Sequence, residues 1–280
     1  MATITFQKSF FSVAMGLAVF QAVSAPDLSG EESELAKVAK PWPQISRDGV
    51  AAYVSDETLW LEIDANAASN KKALVPRLCA PIRSLRWKDH PDMELKFVPE
   101  PQEWVFSWKT APAERPVIEI VFDLPPVLPA DCPLAAPAGD GSVMLHAYQA
   151  STFGEKLRFE PQWYKNTVGY WAVATDYATW DLTIDQSGTY SVAVLQGCGQ
   201  GQGGSDATIT LEQGTQVKAE LPFQTIDTGH FQNFRWNYLG MIEVPDAGKY
   251  KLRISPQRIA KVALFDVRMI HLVRQAKTPN

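Results

Sequence analysis

The chain has 280 residues, 46% of them apolar, 20% charged and 11% aromatic, with a formal net charge of −5. Such a balance excludes a disordered or fibrous chain and is ordinary globular material. The mild acidity also excludes the basic face that nucleic-acid binding requires, so no nucleic acid is expected as a partner.

Residues Met1 to Ala25 read as a secretory signal: Lys8 is the positive segment, Phe10 to Phe20 the apolar core, and Ala22-Val23-Ser24-Ala25 the small residues of a cleavage site. The apolar core is well short of the ~20 residues a spanning helix needs. The mature chain is therefore expected without membrane insertion, in the periplasm or outside the cell, with an uncleaved N-terminal anchor as the alternative. Residues 26–43 form a lead-in, in which Ser29 to Lys40 reads as one short helix, acids early and lysines late, stopped by Pro41-Trp42-Pro43.

Residues 44–124 then carry a β pattern. Val50 to Val54 and Thr58 to Ile63 flank Ser55-Asp56-Glu57 as a hairpin. Ile82 to Trp87, Leu95 to Val98, Glu103 to Trp108 and Val117 to Phe122 follow at about ten-residue spacing, which predicts a small sandwich. Residues 125–140 hold Pro125, Pro126, Pro129, Pro133 and Pro137, and are expected to be a linker. A second all-β unit spans 141–274, followed by a tail at 275–280. Its strands include Val143 to Ala147, Thr179 to Ile184, Gly188 to Leu195, Ala207 to Leu211, Met241 to Val244, Lys249 to Ile254 and a closing strand in Val262 to Val273. The fold class is all-β, two β-sandwich domains.

Gln196 to Asp206 reads Q-G-C-G-Q-G-Q-G-G-S-D, with five glycines and three glutamines. It is expected to be a long loop between two antiparallel strands, where glycine lets a ligand approach the main chain. His230-Phe231-Gln232-Asn233-Phe234 combines rings with amides, a mixture that suits sugars: their C–H faces pack on rings while hydroxyls need hydrogen bonds. The alternative is that the rings are core and that His230 and Asn233 bond loop backbone. The ligand-binding candidates are Trp171, Gln200, Gln202, Ser205, Asp206, His230, Phe231 and Asn233, gathered at one end of the sandwich. Among the three cysteines, Cys79 and Cys132 can pair and leave Cys198 over, or all three stay free.

Several stretches of the second unit carry a resemblance: L-R-F-E-P-Q (157–162), N-T-V-G-Y-W (166–171), G-T-Y-S-V-A-V-L-Q-G-C-G (188–199), G-G-S-D (203–206), D-T-G-H-F-Q-N-F (227–234) and F-D-V-R (265–268). They resemble a family of β-sandwich modules appended to bacterial α-L-fucosidases and some sulfatases. The resemblance implies a galactose-binding-like jelly roll related to carbohydrate-binding modules, with a fucose- or galactose-like glycan as ligand. Residues 44–124 more weakly resemble the small sandwich that follows the catalytic barrel in such fucosidases, and no stretch of alternating strands and helices long enough for that barrel exists. Related jelly rolls often hold a calcium ion between an early acid and a late aspartate. That implies Asp266 with Gln149, an amide where an acid is expected, as a structural calcium pair; no other cofactor is expected.

No catalytic signature stands out. Ser205 lacks the G-x-S-x-G elbow, and the four histidines have no metal-ligand spacing. Paired acids such as Asp176 with Asp181, or Asp227 with Glu243, are the remaining glycosidase candidates. The expectation is a non-catalytic carbohydrate-binding or accessory protein; the alternative is an assembly protein that packs against a separate glycoside hydrolase or sulfatase.

Overall fold

A computed structural model describes residues 33–113 and 115–276. The expected leader, the first residues of the lead-in helix and the end of the tail lie outside these residues.

The first sandwich comprises β1 (Lys40–Pro41), β2 (Val50–Ser55), β3 (Thr58–Ile63), a short helix α1 (Ala65–Asn70), β4 (Lys72–Pro76), β5 (Ile82–Trp87), β6 (Lys96–Pro99), β7 (Glu103–Ser107) and β8 (Val117–Phe122). One sheet runs β1-β2-β3-β8-β5 and the facing sheet β4-β7-β6. The alternation seen in the sequence is what closes it. Leu59, Leu61 and Ile63 point inward from β3, Ile118, Ile120 and Phe122 from β8, and Trp104 and Phe106 from β7, all buried. Two elements escaped the sequence reading. Helix α1 starts because Asp64 accepts the Ala67 amide at 2.8 Å, and it ends at Lys71 in the left-handed region, φ 55°. β4 was hidden behind it. The lead-in differs from its expectation as well: its described part holds only a 3-10 turn, Glu34–Lys37, capped by Ser33, and Lys40, expected to end a helix, instead begins the edge strand β1 paired with β2.

The second sandwich comprises β9 (Val143–His146), β10 (Ser151–Phe153), β11 (Arg158–Glu160), β12 (Thr167–Gly169), β13 (Tyr177–Ile184), β14 (Gly188–Cys198), β15 (Asp206–Gln213), β16 (Gln216–Gln224), β17 (His230–Val244), β18 (Gly248–Arg258) and β19 (Asp266–Arg274). One sheet is β10-β13-β18-β15-β16; the other is β11-β12-β19-β14-β17, with β9 also on β19. Between them lie Phe159, Trp171, Trp180, Tyr190 and Phe265, all buried, with Trp171 stacked on Phe265 at 5.7 Å. Two turns are tied by the same device: the Tyr190 hydroxyl donates to the Gln186 carbonyl and the Tyr250 hydroxyl to that of Asp246, both at 2.7 Å.

The glycine stretch differs from its expectation in two ways. β14 continues through Gln196, Gly197 and Cys198, so the loop is only Gly199 to Ser205. And β14 and β15 are not partners; they belong to opposite sheets, and the glycine loop crosses the rim between them. Sequential strands joined by a loop of this length look like a hairpin in sequence, whereas a jelly roll separates them.

The proline-rich linker is irregular apart from a 3-10 turn at Pro129–Asp131, but it is anchored. The Ala135 amide donates to the Asp181 carbonyl at 3.0 Å, and the Thr183 amide returns to Ala135 at 2.8 Å. The two sandwiches share one apolar core cluster. At their junction the buried Arg77 donates to the Tyr148 and Ala150 carbonyls at 3.2 and 2.8 Å, its guanidinium 5.3 Å from the Phe159 ring. The Ile82 amide bonds the Pro161 carbonyl at 2.7 Å, and Arg158 reaches Pro99 and Glu100.

Candidate functional site

The end of the second sandwich does gather the segments singled out in the sequence. Cys198 lies opposite His230, and Thr228 holds both, its hydroxyl accepting from the Cys198 amide at 2.7 Å and donating toward the Cys198 and His230 carbonyls. The glycines there make room for protein. A Cβ on Gly197 would stand 1.9 Å from the Phe231 carbonyl oxygen, and one on Gly199 would stand 2.6 Å from the Phe231 ring. So the close approach that glycine permits is used by the Phe231 segment.

Most of the polar candidates are engaged by the loop itself. Gln202 Oε1 accepts the Val262 amide at 3.1 Å, His230 Nδ1 accepts the Gln232 amide at 3.0 Å, and Asn233 Nδ2 donates to the Thr228 carbonyl. Asp206 accepts from Arg258 at 2.7 Å and Gln224 at 3.1 Å, and these partners hold its carboxyl below the usual range. Two candidates must be corrected. Ser205 is fully buried, its hydroxyl accepting the Ala260 amide at 3.0 Å, and is a structural residue. Trp171 is fully buried against Phe265, and its indole N–H donates to the Asp176 carbonyl at 2.8 Å. It cannot wall a ligand; the sequence shows an aromatic but not which sheet face it enters. Gln200, His230 and Asn233 are exposed, and Phe231 is half-buried.

The calcium pair is likewise not assembled. Both amide atoms of Gln149 are spent on backbone, accepting from the His146 amide at 3.0 Å and donating to the Pro133 carbonyl at 3.3 Å. Asp266 instead faces Glu160. A Cβ on Gly169 would meet Glu160 Oε2 at 2.7 Å and Asp266 Oδ1 at 2.9 Å, so both carboxylates crowd one backbone position. The cation beside them is Lys165, which donates to Glu160. Burial, then the Glu160 charge, pushes the Asp266 carboxyl well up. Among the described residues, no group of three or more His, Cys, Asp or Glu side chains is placed to hold a metal.

The paired acids are separated by their partners. Asp176 is buried and accepts the amides of Glu155, Lys156 and Leu157 at 2.8–2.9 Å, whereas Asp181 pairs with Lys251. Asp227 accepts the Gly201 and Gly229 amides, and Glu243 accepts the Thr189 hydroxyl.

The surface that the sequence reading missed lies beside this loop end, on the outer face of the β14–β17 sheet. On β14, Tyr190, Val192, Val194 and Gln196 are buried, so Ser191, Ala193 and Leu195 face out. Register then places their neighbours. Leu195 lies between Trp236 and Met269, Ala193 between Tyr238 and His271, and Ser191 between Met241 and Val273. Beyond β19, His146 lies opposite Met269 and Met144 opposite His271. Trp236 is 48% exposed, Tyr238 58% and Met241 55%, and the Trp236 ring lies 6.2 Å from that of His271. At the loop end of this face, the Arg268 guanidinium sits 3.7 Å over the Phe234 ring. It also donates to the carbonyls of Tyr164 and Lys165, next to the exposed Trp163. Rings at 234, 236 and 238 thus share one side of an edge strand over about 13 Å. The signal was present in F-R-W-N-Y, an aromatic at every second position.

No protein-family model matches this sequence, and no curated protein matches it. Among solved structures, an α-L-fucosidase from Vibrio sp. strain EJY3 aligns over 83% of this chain at 13% identity and a TM-score of 0.34; the chain spans 41% of that enzyme. A family 35 carbohydrate-binding module from Clostridium thermocellum aligns over 48% of this chain and 98% of its own length, at 17% identity and a TM-score of 0.37. The C-terminal CBM6 of a marine laminarinase from Zobellia galactanivorans aligns over 48% of this chain and 99% of its own, at 17% identity and a TM-score of 0.34. The architecture of this chain rests on its own strand order and burial: all-β, two sandwiches.

Proposed function

We propose that the protein is a non-catalytic glycan-binding accessory protein, and that it binds along the outer face of β17. The observation that carries this reading is the row Phe234, Trp236 and Tyr238: Trp236 and Tyr238 are open to solvent beside His271, and the half-buried Phe234 lies under Arg268. Flat rings take the C–H faces of sugars, and the neighbouring imidazole, phenol and amide groups suit hydroxyls. His230 and Asn233 are exposed at the end of β17 nearest the glycine loop. A shallow open site of this kind binds at millimolar to micromolar strength, about −4 to −8 kcal/mol.

The test is a glycan array on the purified chain, fucose- and galactose-containing glycans included, followed by titration of Trp236→Ala and Tyr238→Ala. Each variant should fold as the parent does, since the side chains are half exposed, and should lose about 1.5–3 kcal/mol of binding. Parent-like affinity in both folded variants would remove the site.

A second reading has its own support. Leu195, Met241, Met269 and Val273 make the same face broad and apolar, as a surface that packs on a separate glycoside hydrolase or sulfatase would be. Co-elution with such an enzyme, lost in Met241→Lys, would favour it. Either role places the protein outside the cytoplasm. Mass spectrometry of the exported chain should then find an N-terminus near Ala25 or Pro26, and an intact Met1 on cytosolic protein would reject export.

A further inference from the structure

Cys79 and Cys132 are 53 positions apart in sequence and meet at the junction of the two sandwiches. Cys79 is buried just beyond β4, and its amide donates to the Val127 carbonyl at 2.9 Å, which draws the linker back over it. Cys132, half-buried, closes the 3-10 turn Pro129–Asp131. The Cys79–Val127 bond lies only five positions before Cys132, so the turn sets Cys132 beside Cys79, and each thiol affects the other's ionisation more than any other group does. Around the pair stand Arg77, whose charge reaches both sulfurs, and Tyr148, whose carbonyl Arg77 holds. Cys198 is elsewhere, fully buried at the end of β14, with its thiol directed at the Leu264 carbonyl.

The position of Cys132 gives the pair its consequence. Three residues further on, Ala135 is hydrogen-bonded into β13 of the second sandwich, and the Pro133 carbonyl accepts from Gln149. A covalent bond at Cys132 would therefore join the first sandwich to a segment already seated on the second. It would close a loop that contains β5 to β8 and the start of the linker. Such a crosslink acts mainly by restricting the unfolded chain.

We propose that Cys79 and Cys132 form a disulfide by thiol–disulfide exchange, and that this bond is a redox staple between the two sandwiches. With a disulfide oxidant such as oxidised glutathione, the Cys79 thiolate attacks one sulfur and releases one glutathione thiolate. The Cys132 sulfur, giving up its proton, then displaces the second glutathione from the mixed disulfide. The protein loses two electrons and two protons; the oxidant is reduced to two thiols. The Cys132 hydrogen bond and the Arg77 charge lower the Cys79 thiol from its ordinary value, which favours Cys79 as the attacking sulfur.

The experiment uses the purified full chain, reduced and then incubated with oxidised glutathione, denatured and alkylated. The reduced protein should take three labels and the oxidised protein one, at Cys198, with a linked peptide pair containing Cys79 and Cys132. The thermal midpoint of the oxidised chain should rise by roughly 5–15 °C over the reduced chain. Cys132→Ser, at a half-buried position, should fold and show no such rise. Three labels after oxidation, a persistent glutathione adduct, a bridge to Cys198, or a bridge without a shift in midpoint would each overturn the proposal.

Discussion

Asp266 sits in the second sandwich with its carboxyl pushed up, chiefly by burial and next by the charge of Glu160. A folded value above the unfolded one means stability is fully present below the unfolded range of about 4 and is lost as pH rises through the folded value. The parent chain should therefore lose stability between mildly acidic and neutral pH. Asp266→Asn, which keeps the shape and removes the charge, should flatten that part of the profile and be at least as stable as the parent at pH 7. Urea midpoints of both chains across this range decide it; parallel profiles would show that Lys165 already neutralises the pair. The same residue shows why one-dimensional reading mispaired it. The resemblance to related jelly rolls cast this aspartate of the closing strand as a cation ligand, but its real neighbour, Glu160, is far away in sequence and arrives by way of β11 and β12.

At the scale of elements, the glycine-rich end of β14 is built for packing. Gly197 pairs with Asp266 of β19, and a Cβ added to it would meet the Phe231 carbonyl at a distance no side chain tolerates. Gly197→Ala must push β17 away from β14, and overpacking of this kind costs about 1–3 kcal/mol. Gly201→Ala has open space around it, and its cost comes from a backbone angle of φ 71° alone, about 1 kcal/mol. Chemical denaturation should rank the first variant as the more damaged, and hydrogen exchange should show the loss centred on the start of β17. The reverse ranking would mean that the crossing loop, and not the strand pair, limits stability. β17 itself illustrates the limit of local patterns. Its first five residues read as a site loop and its last four as a strand, yet it is one continuous edge strand from His230 to Val244.

For the whole molecule, the junction matters most. Arg77 is buried with its charged group spent on two carbonyls of the other sandwich, and burial lowers its proton affinity. Arg77→Ala leaves those carbonyls without their donor and opens a cavity beside Phe159, together about 2–4 kcal/mol. Because one apolar cluster runs through both sandwiches, the parent should unfold in a single calorimetric transition, and Arg77→Ala should lower the midpoint and separate it into two. An unchanged midpoint would show that the Ile82–Pro161 backbone bond and the apolar contacts hold the junction by themselves.

The amino-acid sequence by itself determined the all-β sandwich class of this protein and most strand positions, because period-two burial and turn residues are local and need no partner. It also carried the ring alternation at Phe234, Trp236 and Tyr238. Only the tertiary structure decided which sheet each strand joins, since strand order depends on pairings tens of residues apart. That decision buried Trp171 and Ser205 and spent Gln149, Gln202 and Asn233 on the backbone. It set Asp266 against Glu160, brought Cys79 to Cys132, and left the outer face of β17 open. A side chain's chemistry is written in the residue, but whether a ligand can reach it is settled by which neighbours the folded sheet places around it.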